Sequence, residues 1–170
     1  MKAVFLFPGQ GAQAVGMCSV WIRSYPSVAR RLQQGSDLLG IDLSRLIDMG
    51  PPRAITQTLI AQVSIYCLSF ALYEILVARG LQPGLLAGHS LGQFTALAAS
   101  GAVTFDDGLA LVKARGAAMH EVNQSLDGTM LAIHANDVQR RLSALVGESG
   151  DCWISNRNAP GQWIVAGRRL

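Results

Sequence analysis

The sequence predicts an α/β fold, with a parallel sheet flanked by helices and then a smaller β-α-β-β unit. Three observations lead there. Short continuous apolar runs, Ala3 to Phe7 and Pro83 to Ala87, have the length of strands and no polar face, as buried parallel strands do. Long helical segments separate them. After Asp127-Gly128 the pattern shortens into strand, helix, strand, strand. The composition agrees. Of 170 residues, 50% are hydrophobic and 15% charged, which excludes a disordered chain. Gly (18) and Pro (6) follow no G-X-Y period, so the chain is not fibrous. The net charge of +3 is spread out, with only Arg140-Arg141 and Arg168-Arg169 adjacent, and no basic patch suggests nucleic acid.

The elements follow in order. Ala3 to Phe7 is a strand ended by Pro8-Gly9. Val20 to Leu39 reads as one helix and Ile41 to Met49 as a short second one, stopped by Gly50-Pro51-Pro52. Ile60 to Arg79 is a long, largely buried helix with Gly80 in the C-cap position. Its apolar stretch, Val63 to Ala78, is interrupted by Ser64, Ser69 and Glu74 and falls short of the ~20 apolar residues that span a bilayer. No signal-type segment opens the chain, and a soluble protein is expected. Gln93 to Ser100 forms the next helix, closed by Gly101, and Asp106 or Asp107 caps another that runs to about Gln124. Thr129 to His134 reads as a strand, Asp137 to Val146 as a helix, and Cys152 to Ser155 and Gln162 to Ala166 as strands around a loop. The division is 1–126 for the large unit and 127–170 for the small one. Cys18, Cys67 and Cys152 are too few and too scattered for a disulfide framework or a zinc site, and read as buried, reduced thiols of a cytoplasmic protein.

Gly88-His89-Ser90-Leu91-Gly92 is a G-x-S-x-G between a strand and a helix, the setting of a nucleophile elbow. Such a turn lifts the serine oxygen clear of the backbone and aims free helical N–H groups, that of Leu91 first, at a developing oxyanion. A serine N-cap in a glycine-flanked turn would have the same spelling. His89, His120 and His134 give no evident base: His89 neighbours the serine in a tight turn, His120 lies late in a helix and His134 follows a strand. The loop Pro8-Gly9-Gln10-Gly11-Ala12-Gln13 is not a dinucleotide fingerprint, because Ala14 stands where the third glycine belongs, and no P-loop lysine occurs. It is either a simple turn or a device that brings the Gln10 amide to another site as a donor.

These loops together resemble the malonyl-CoA:acyl carrier protein acyltransferases and the acyltransferase domains of polyketide synthases. FPGQGAQ follows the first strand and GHSLG comes some eighty residues later. Ala61-Gln62 resembles the family's A-Q-P, with Val63 for Pro. Ala114-Arg115-Gly116 holds its R-G pair. Asn156 to Gly167 resembles N-x-N-x-P-x-Q-x-V-I-x-G. The resemblance implies a hydrolase-like large subdomain carrying an inserted ferredoxin-like small subdomain, here incomplete. It implies Ser90 as nucleophile, the N–H groups of Gln10 and Leu91 as oxyanion hole, and Arg115 on the malonyl carboxylate. Gln62 would line the acyl pocket and His89 would shape it. A guanidinium suits that carboxylate because its planar fork matches it and stays charged. The implied partners are malonyl-CoA and an acyl carrier protein, with no metal or other cofactor beyond the coenzyme A thioester substrate.

Two departures stand out. Gln93 replaces a usual Glu, which removes a charge beside the elbow. The family's catalytic His follows the small subdomain, beyond residue 170. Residues 1–170 alone are therefore expected to transfer weakly, and to self-associate or pair with the C-terminal remainder of the fold. Neighbouring readings are the malonyl transferase subunit of malonate decarboxylase, a serine esterase or thioesterase, and a non-catalytic fragment of an acyltransferase. An esterase would not need Arg115.

Overall fold

The computed structural model describes residues 3–125, 127–146 and 152–168. It divides into two compact units, residues 1–120 and 121–170, so the division falls inside a helix rather than at the Asp127-Gly128 turn.

The first unit opens with β1 (Ala3–Phe7). The single helix expected over Val20 to Leu39 is two, α1 (Ser19–Ser24) and α2 (Pro26–Leu39). Pro26 explains the break: it forces Tyr25 into extended backbone (φ −130°, ψ 107°) while itself fitting the first helical turn. In α3 (Leu43–Met49) the Asp42 carboxylate accepts from the Arg45 N–H at 2.9 Å as N-cap. A short helix that the sequence did not suggest, α4 (Pro52–Ile55), starts on Pro52. Then comes α5 (Thr58–Ala78), which Gly80 terminates at φ +89°.

Helix α5 begins two residues earlier than expected and reaches 21 residues, long and apolar enough to cross a bilayer by length and composition. In the fold it is the core helix instead, with 61% of its most apolar stretch buried. Val63, Tyr66, Cys67 and Ala71 are fully covered, against α2 and against α6 (Gly92–Ala99). A fully buried large side chain of this kind stabilises by about 1.5–3 kcal/mol. The Tyr66 hydroxyl, buried with it, donates to the Phe105 carbonyl at 2.9 Å.

Between α5 and α6 lies β2 (Pro83–Gly88), parallel to β1, with Phe7 opposite Gly88. The parallel pairing agrees with the sequence, but the strands are not buried on both faces. Phe5 and Phe7 pack edge-on to Tyr73 of α5, at ring separations of 5.9 and 6.2 Å, whereas Val4, Leu6 and Leu85 are exposed. Among the described residues nothing packs on that second face. Helix α7 (Phe105–Ser125) carries another difference. Its cap is Thr104, whose hydroxyl accepts from the Asp107 N–H at 3.1 Å and donates to the Asp107 carboxylate at 2.7 Å. Asp107 is thus one turn inside the helix, its N–H capped by Thr104 and its carboxylate bonded to the same hydroxyl.

The second unit is an antiparallel sheet in the order β3 (Gly128–His134), β5 (Gln162–Arg168), β4 (Cys152–Ala159). One face is covered by α8 (Val138–Val146), with Val138, Leu142 and Trp163 as core. The expected loop over Asn156 to Gly161 is mostly strand: β4 continues to Ala159 through two register irregularities and turns tightly at Pro160-Gly161. The bulges let a polar stretch stay in the ladder. Of the three cysteines, none of which is in a disulfide among the described residues, only Cys67 is buried; Cys18 and Cys152 are half-buried.

Candidate active site

The loop after β2 makes a sharp turn into α6, and Ser90 at its apex has φ +52°, a left-handed conformation that costs a non-glycine residue about 1–2 kcal/mol. Its flanking glycines are required by space. A Cβ on Gly88 would lie 2.1 Å from the Gly92 carbonyl, and one on Gly92 would lie 2.1 Å from the Phe7 carbonyl oxygen. The elbow is therefore pressed against the end of β1, and the His89 N–H donates to the Phe7 carbonyl at 3.1 Å.

This packing decides what surrounds Ser90. Helix α7 brings Arg115, whose Nη2 donates to Ser90 Oγ at 3.0 Å. The same guanidinium donates through Nη1 to Gln62 Oε1 at 2.7 Å, and its carbon lies 5.9 Å from the Phe94 ring centre. Gln62, fully buried on α5, donates from Nε2 to Gln10 Oε1 at 3.3 Å and to the Met119 sulfur at 3.3 Å. Four residues from four elements or loops thus form one chain of contacts: Gln10, Gln62, Arg115, Ser90. The Gln10 amide is an acceptor here, where the sequence suggested a donor.

Partial burial draws the Arg115 pKa below the ordinary arginine value, though arginine stays charged in proteins. It is a cation held in a half-desolvated position without a carboxylate partner among the described residues. Because its donors occupy a lone pair on Ser90 Oγ, the hydroxyl proton must point elsewhere. The Leu91 and Gln10 N–H groups have no acceptor among the described residues, which leaves both available to an oxyanion.

The histidines are dispersed. His89 is exposed, and its Nδ1 stands 2.9 Å from where a Gly9 Cβ would be. His120 lines a groove with Leu39, Ile41 and Ile60, and His134 meets the Gln162 amide at 3.3 Å. Among the described residues no cluster of His, Cys, Asp or Glu could hold a metal ion. Met119 and Phe94 had not been singled out from the sequence. Helical spacing would have found Met119, four residues after Arg115 on α7, whereas Phe94 lies in the first turn of α6 and no spacing rule connects it to Ser90, which is outside the helix.

A strand, a strained serine turn and a helix, with an arginine on the serine oxygen, define an α/β protein of the nucleophile-elbow class. The family model for the acyl transferase domain matches residues 4–167, and the chain belongs to that family. It is 36% identical over 172 residues to the malonyl CoA-acyl carrier protein transacylase of Haemophilus influenzae, covering 99% of this chain and 55% of that protein. It is 37% identical to the polyketide biosynthesis protein ThaF of Burkholderia thailandensis, covering 96% of this chain and 14% of that protein. Among solved structures, it superposes with a TM-score of 0.89 on a malonyl-transacylase determined in complex with its type II PKS acyl-carrier protein. That match is 32% identical and covers 99% of this chain and 56% of the other. An acyl carrier protein S-malonyltransferase from Vibrio cholerae gives a TM-score of 0.87 at 34% identity, covering 98% and 56%. The chain spans about half the length of the malonyl transferases it matches.

Proposed function

We propose that this chain carries the nucleophile half of a malonyl transferase, which moves a malonyl group from coenzyme A to the phosphopantetheine thiol of an acyl carrier protein. The observation that carries the reading is the 3.0 Å contact between Arg115 Nη2 and Ser90 Oγ. A malonyl thioester has a carboxylate two carbons from its reacting carbonyl. A cation beside the nucleophile is where that carboxylate must sit when Ser90 attacks. An unspecialised esterase has no use for a half-buried cation there.

In the first step Ser90 Oγ bonds to the thioester carbon, the serine proton leaves to a base, and the carbonyl oxygen takes the negative charge toward the Leu91 and Gln10 N–H groups. The C–S bond then breaks, and coenzyme A departs as a thiol once protonated. The carrier thiol repeats the sequence in reverse on the malonyl-serine ester. Arg115 cannot be the base, because it does not give up its proton. The resemblance puts the base, a histidine, after the small subdomain. The chemistry calls for no metal. A cytoplasmic setting fits three cysteines too scattered for a disulfide framework.

The experiment compares Ser90 acylation by malonyl-CoA and acetyl-CoA, read by intact mass over hours, with equilibrium binding of malonate and acetate alongside. Wild type prefers the malonyl and malonate partners, S90A takes no label, and R115A loses the preference by tenfold or more. An R115A protein that still discriminates as wild type does would refute the assignment.

A further inference from the structure

We infer that Gln62 is a positioning residue that ties the carboxylate clamp to the oxyanion loop, rather than a group that touches the acyl unit; this rests on the reading of Arg115 given above. Gln62 is fully buried in α5 and presents no open surface to a ligand. Its carboxamide nevertheless uses its acceptor and both donors. The orientation is fixed by chemistry, because Arg115 has only donors and must face the amide oxygen. The nitrogen is left to reach Gln10 Oε1 and the Met119 sulfur. One buried amide therefore touches the residue proposed to hold the carboxylate and the side chain of the residue whose N–H is proposed for the oxyanion. Gln10 itself is exposed on a glycine-rich turn, so this contact pins a loop that has little other packing.

Two consequences follow. Without the Gln62 oxygen, the Arg115 fork loses one of its two restraints and its plane is no longer set. With a carboxylate in place of the amide, Arg115 would acquire an internal anion that competes with the substrate's own, while the donor to Gln10 disappears.

The test measures malonate and acetate affinity by titration calorimetry on the 170-residue protein for wild type, Q62L, Q62E and R115A. Melting temperatures and the Arg115 Nε–Hε NMR signal are recorded for each. Q62L is expected to weaken malonate about tenfold with acetate unchanged. Q62E is expected to bind malonate no better than R115A while keeping its melting temperature. The Arg115 signal should shift in both. Should Q62L fail to fold, Q62E carries the same comparison, because its buried anion faces a cation. Wild-type malonate affinity in Q62E, or in folded Q62L, overturns the inference alone. A wild type that binds malonate no better than R115A does overturns the reading of Arg115, and this inference with it.

Discussion

Replacing Gly92 by Ala tests whether the elbow is built by close contact between α6 and β1. The added Cβ would sit 2.1 Å from the Phe7 oxygen, 2.7 Å from the Phe7 carbonyl carbon and 2.9 Å from the Pro8 oxygen, against ordinary contact at 3.4 Å and beyond. All three atoms are backbone, so no side chain can swing aside. The helix start must retreat by roughly 1.3 Å from the strand end, the difference between 2.1 and 3.4 Å. Overpacking of this kind costs typically 1–3 kcal/mol, and rigid neighbours put this case near 3 kcal/mol. With a urea slope of about 2 kcal/mol per molar, the unfolding midpoint falls by about 1.5 M. Gly40→Ala is the comparison. Nothing lies within 4 Å of its Cβ position, and only its φ of +69° is strained. That substitution costs about 1 kcal/mol and lowers the midpoint by about 0.5 M. The assay is urea unfolding followed by circular dichroism, with Ser90 acylation measured on the folded variants. Gly92 has no positive φ, so proximity is all that the substitution tests; a midpoint for Gly92→Ala no lower than that for Gly40→Ala would show that the contact relaxes at little cost, and the packing account of the elbow would be wrong.

Two further outcomes follow from the fold. Thr104→Ala should cost about 1 kcal/mol in the same unfolding assay, because it removes the acceptor for the Asp107 N–H; an unchanged midpoint would return the cap to the aspartates. Burial pushes the Cys67 thiol up to about 12 from an ordinary 9.0, so the unfolded chain ionises first as pH rises. Its contribution to stability is complete below pH 9.0 and is lost progressively as the pH climbs toward about 12, and the native thiol should resist alkylation at pH 8 until the protein is unfolded. Cys67 labelling as fast as Cys152 in native protein would contradict this.

The identity of the site was written locally. G-x-S-x-G between a strand and a helix specifies a strained serine turn, because only glycine tolerates the contacts that Gly88 and Gly92 make. Short-range signals also fixed the parallel strands and the core helix. The misread segments were those where one residue outweighs the trend around it. Pro26 split a helix that apolar spacing had joined, and Thr104 took the cap from two aspartates. The Asn156 to Ala159 stretch had the polarity of a loop, yet its ladder to β5 kept it extended.

From the chain alone came the elements, the elbow and, by resemblance, the residues around it. What tertiary packing decided was their meeting. Gln10, Gln62, Ser90 and Arg115 are up to 105 positions apart and share one network only because α5 and α7 press on the same loop ends. The physical reason is range. Backbone conformation responds to neighbours within a few residues, whereas the direction of a buried amide or guanidinium is set by whichever partner the packed core brings within 3 Å or so.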